Sequence, residues 1–107
     1  MSNYYTRLAE REIVRATIEN IVKLGWAPET VDIGDGEVAV DTIDAMMNEA
    51  FSGDIARIYF KRGAEIAWIF IVLGNAGWDV VSDYTMCLES AVRDTDDLTD
   101  DWERRLV

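Results

Sequence analysis

The sequence predicts an α+β fold: an antiparallel β-sheet, hairpin plus three-stranded meander, with about three helices packed on it in the order α-β-β-α-β-β-β-α. Three observations predict it. An amphipathic helical pattern covers residues 6–24, glycine-centred reversals fall at 34–36, 63 and 74–77, and strand-like apolar runs fill 55–82. No repeat, low-complexity tract or Pro/Gly/Ser linker divides the 107 residues, so a single domain over 1–107 is expected.

On a helical wheel over 6–24, Ile13, Val14, Thr17, Ile18, Ile21, Val22 and Leu24 share one face, opposite Arg11, Glu12, Arg15, Glu19 and Lys23. Gly25 can end this helix in the left-handed region, and Pro28 disfavours continuation. Residues 30–33 and 37–40 flank Gly34-Asp35-Gly36, a hairpin pattern. Asp41 or Thr42 can cap a short helix through Ala50 or Phe51, with Ile43, Met46, Met47, Ala50 and Phe51 as its apolar side. Strands follow at 55–61, 65–73 and 78–82. The second is apolar on both faces, which predicts a central strand covered on both sides. A last helix is expected after Thr95 or Asp96, carrying Leu98, Trp102 and Leu106.

Half of the residues are apolar and eleven are aromatic, enough to build a core and to argue against disorder. The longest nearly uncharged apolar run, 66–73, is far short of the ~20 residues that span a bilayer, and residues 1–5 show no signal pattern. A cytoplasmic protein is expected. Cys87, the one cysteine, sits beside Met86 and Leu88 and reads as a buried small hydrophobe.

The formal charge of -11 is segregated. Between Lys23 and Arg57 no basic residue occurs, yet Glu29, Asp32, Asp35, Glu37, Asp41, Asp44, Glu49 and Asp54 do. A second block runs from Glu89 through Asp94, Asp96, Asp97, Asp100 and Asp101 to Glu103, against Arg93 alone. A one-signed patch steers and orients a basic partner, and basic concave surfaces are commonly built for nucleic-acid backbones. Asp35 with Glu37, and Asp97 with Asp100 and Asp101, have the spacing of a phosphate track if they lie on a strand and a helix. Against this stands the plain reading that charge runs are solvated faces and that several of these Asp residues are caps or turn residues.

With no histidine, Ser-His, Cys-His and histidine-zinc chemistry are excluded. The 94–101 run superficially resembles a calcium loop, but Thr99 and Arg105 stand where glycine and glutamate are required. No metal site, cofactor or catalytic residue is expected. The Gly74-Asn75-Ala76-Gly77 turn leads into a strand rather than a helix, so it is no phosphate-cradling loop. Trp26, Trp68, Trp78 and Trp102 read as core, with Trp78 and Trp102 the best candidates for interface anchors.

The stretch Gly74-Asn75-Ala76-Gly77-Trp78-Asp79-Val80-Val81-Ser82-Asp83-Tyr84-Thr85, followed by Leu88-Glu89, resembles a group of small proteins carried by phages and plasmids. The likeness covers about a fifth of the chain and brings no catalytic residues with it. It implies a mobile-element context, and by size and charge the chain is similar to acidic anti-CRISPR proteins that mimic DNA. The resulting expectation is a non-enzymatic inhibitor whose acidic surface blocks target-DNA binding by a CRISPR surveillance complex of the multi-subunit, Cascade type. Its acidic residues would contact a basic nucleic-acid-binding surface. Neither direct nucleic-acid binding nor a membrane is involved, and the chain would be a monomer or homodimer. An alternative is a mobile-element adaptor or antitoxin-like protein that binds through apolar contacts. A carboxylate-only enzyme would need two facing carboxylates in a cleft, a pair the sequence does not supply.

Overall fold

A computed structural model describes residues 2–74, 80–95, 98, 100 and 101. Its elements are α1 (Ser2–Lys23), β1 (Ala27–Asp32), β2 (Glu37–Ala39), α2 (Ile43–Ala50), β3 (Ile55–Arg62), β4 (Glu65–Val72), β5 (Val81–Tyr84), a 3-10 turn (Met86–Leu88) and α3 (Glu89–Arg93). The order is the predicted one, and the class is α+β.

Apolar spacing of three and four places Ala9, Ile13, Val14, Ile18 and Ile21 on the buried face of α1. Leu24, expected on that face, is exposed. The backbone tightens as the helix ends, with the Leu24 N–H donating to Ile21 and the Gly25 N–H to Val22, so the helical step no longer sets where Leu24 points. Gly25 then takes φ 96°. Pro28, read as a helix breaker, also lies inside β1 opposite Phe60, next to the register shift between Pro28 and Thr30.

The five strands form one antiparallel sheet in the order β2-β1-β3-β4-β5. The Asp32 carboxylate shapes the β1–β2 turn by accepting the N–H groups of Gly34 at 2.7 Å and Gly36 at 3.3 Å. Both glycines have positive φ, 118° and 104°. Thr42 caps α2, its hydroxyl accepting the Ala45 N–H at 3.0 Å. Expected over 78–82, β5 instead occupies Val81–Tyr84, and residues 75–79 lie outside the described set.

Alternation divides the sheet into two unlike faces. Ala56, Ile58 and Phe60 of β3 and Ala67, Ile69 and Ile71 of β4 are buried beneath the helices, together with Val31, Met46, Met47 and Ala50. This is one continuous core. On the other face, Ile55, Arg57 and Lys61 are exposed, Tyr59, Trp68, Phe70 and Val72 are half-buried, and Ile66 is 51% exposed. The expectation that β4 is covered on both sides is therefore corrected: among the described residues, helices pack on one side only. The least extent of the molecule, 20 Å, has room for one helix layer on one sheet.

Cys87 is also corrected. The 3-10 turn aims Leu88 into the core and leaves Cys87 exposed beside Met86, which is 76% exposed, so neighbours in sequence did not predict its side. The helix expected after Thr95 falls largely outside the described residues, as do Trp78 and Trp102. Thr95 is itself buried and its hydroxyl donates to the Val92 carbonyl at 2.6 Å.

Candidate functional site

The first acidic block lies around the β1–β2 hairpin, with Asp44 and Glu49 on α2 and Asp54 just before β3. Antiparallel pairing puts Asp32, Asp35, Glu37 and Asp54 at the turn end of the hairpin, while Glu29, Asp41 and Asp44 lie toward its other end. Asp35, Glu37, Asp41, Asp44 and Asp54 are exposed, whereas Glu29, Asp32 and Glu49 are half-buried. The expected strand pair Asp35 and Glu37 is not one: Asp35 sits in the turn and only Glu37 is in β2, where it accepts the Thr30 hydroxyl at 2.7 Å.

This block is not wholly without counter-ions, as local sequence implied. Arg15, 29 residues from Asp44, reaches across from α1 to form an ion pair with it and lies 3.8 Å from Glu19. The hydrogen bond to Asp44 raises the Arg15 pKa above its ordinary value, burial opposing this and the charges of Asp44 and Glu19 adding to it. A raised pKa adds stability below the unfolded value and loses it only at still higher pH, so this cation keeps its charge across the working range.

The second block is placed elsewhere. Packing of α1 against both α2 and α3 makes a helical layer with α1 in the middle. Arg15 faces Asp44 of α2, while the Thr17 hydroxyl lies 3.5 Å from that of Thr95 just beyond α3, and Asn20 donates to the Ala91 carbonyl at 3.3 Å. Two residues along a helix point about 200° apart, so the blocks flank α1 from opposite sides. Adjacent helix axes lie ~8–10 Å apart, which separates the blocks by roughly two such spacings. Asp94 and Asp100 are exposed and Asp101 half-buried, while Asp96, Asp97 and Glu103 lie outside the described residues.

Sequence reading missed the open sheet face. Paired residues across the strands form one row of Glu37, Asp32, Arg57, Phe70 and Asp83, and a second of Ala39, Thr30, Tyr59 and Trp68. The Arg57 guanidinium lies 5.2 Å from the Trp68 ring centroid and 5.4 Å from that of Phe70. The signal lay in β3, where Arg57 and Lys61 alternate with buried Ala56, Ile58 and Phe60. A neighbouring strand shares that solvent-facing side.

Glu10 is buried and accepts the Gly74 N–H, tying α1 to the end of the β4 strand region. Among the described residues no three Cys, Asp or Glu side chains are grouped to hold a metal ion, and no helix is long and apolar enough to cross a membrane. The chain matches no family model, no curated protein and no solved structure.

Proposed function

We propose that the protein is a non-enzymatic inhibitor whose acidic hairpin edge occupies a basic, nucleic-acid-binding surface of a defence complex of the CRISPR surveillance kind. The supporting observation is the run of exposed carboxylates Asp35, Glu37, Asp41, Asp44 and Asp54, in which, among the described residues, Asp44 alone has an ion-pair partner. Glu37 lies in three-residue β2, Asp35 in the turn before it, Asp41 and Asp44 at the start of α2 and Asp54 just before β3, so the carboxylates are spread around the hairpin rather than strung along one strand.

The hairpin edge is the primary contact and the block beyond α3 a second, separate one, because α1 stands between them. A pull-down from the native host tests this reading. Recovery of a nucleic-acid-binding complex that is lost on Asp35→Asn, Glu37→Gln, Asp41→Asn and Asp54→Asn substitution together supports it. Recovery of a partner indifferent to those substitutions contradicts it, and a partner released by open-face substitutions such as Ile66→Lys would show binding through apolar contacts.

A further inference from the structure

We infer that the open sheet face is a self-association surface, on which a second copy of this chain packs face to face about a two-fold axis running along the strands between β1 and β3. Its Tyr, Trp, Phe and Arg are residue types enriched at interface cores. Trp68 and Phe70 carry Arg57 between them, with Tyr59 on the same face and Ile55, Ile66 and Val72 flanking.

Charge selects a second copy as the occupant. The chain carries -11 overall, but among the described residues the paired positions of this face hold three carboxylates, Asp32, Glu37 and Asp83, against Arg57 and Lys61. Like-charge repulsion between copies is thus least when these faces meet. The stated axis lays each β3 over β1 of the other copy and each β4 over β2. Because Asp32 and Arg57 are register partners, the axis sets each Arg57 over Asp32 of the second copy, twice by symmetry. The same operation sets bulky Trp68 over small Ala39, and Tyr59 over Thr30.

The overlap of β3 with six-residue β1 and of β4 with three-residue β2, each occurring twice, at ~4.8 Å spacing and ~3.3 Å per residue gives roughly 300 Å² per copy, or about 600 Å² in all. That is below the size of a stable specific interface, so the dimer is weak, transient and concentration-dependent. Packed sheets leave both helical layers outward, and because the axis sets Phe70 over Glu37 of the second copy, Glu37 is covered in the dimer and exposed in the monomer.

Light scattering of the purified full chain across about 1 μM to 1 mM tests this without any partner, so its failure leaves the acidic-edge reading standing. The expected mass rises from 12.1 kDa toward twice that value. Ala39→Arg, on an exposed position of an edge strand, holds the mass at the monomer value with unchanged circular dichroism. Arg57→Asp does the same, and adding Asp32→Lys to it restores association. A wild-type mass of 12.1 kDa throughout, or a folded Ala39→Arg variant that associates as wild type does, overturns the inference. Should wild type stay monomeric while Ala39→Arg or Arg57→Asp releases a protein partner, the face belongs to that partner instead.

Discussion

Single side chains set most of the turns and helix ends on which the acidic edge rests. Thr42 anchors the first turn of α2 beside Asp41 and Asp44, and its replacement by alanine is expected to cost about 1 kcal/mol. Urea unfolding would read this as a lower midpoint with an unchanged slope. Glu10→Ala, which strips a charged acceptor from the Gly74 N–H in a part-buried setting, is expected to cost about 1–3 kcal/mol in the same assay. Thr42 was legible as a cap because Asp or Thr before an apolar helical pattern has a local meaning. The pairing of Arg15 with Asp44, the exposure of Cys87 and the burial of Glu10 were not, since each depends on which element the chain brings alongside.

At the scale of elements, glycine chemistry and apolar periodicity made the order of helices and strands readable from residues alone. Gly36, at φ 104° with open space around its Cα, should tolerate the bulk of alanine but not its backbone preference. Gly36→Ala is expected to destabilise the β1–β2 hairpin by about 1–2 kcal/mol, measured as a lower unfolding midpoint. Strand β4 shows where the sequence misleads. Residues 66–73 are apolar at every position, a pattern that burial on both sides and an uncovered sticky face produce equally well. The two sides are separable by substitution: Ile69→Ala is expected to cost about 2–5 kcal/mol, while Ile66→Ala, 51% exposed, should cost far less. Equal losses at the two positions would mean that the open face is covered in the monomer.

For the molecule as a whole, the net charge resolves into two acidic regions held apart by α1 and a nearly balanced sheet face. Clustering of Glu29, Asp32, Asp35, Glu37, Asp41 and Asp44 was legible because hairpin and α2 are consecutive in the chain. The separation from Asp94, Asp100 and Asp101 was not, because it depends on α1 lying between α2 and α3. An acidic edge that competes with a phosphate backbone works through ionic contacts, which salt screens beyond about 10 Å at 0.1 M. The most direct measurement is therefore a competition titration, in which the purified chain is added to a CRISPR surveillance complex and its affinity for target DNA is followed at low and raised salt. DNA affinity is expected to fall as the chain is added, the effect to shrink as salt rises, and neutralising Asp35, Glu37, Asp41 and Asp54 to remove it. DNA affinity unchanged at low salt would contradict the acidic-edge reading.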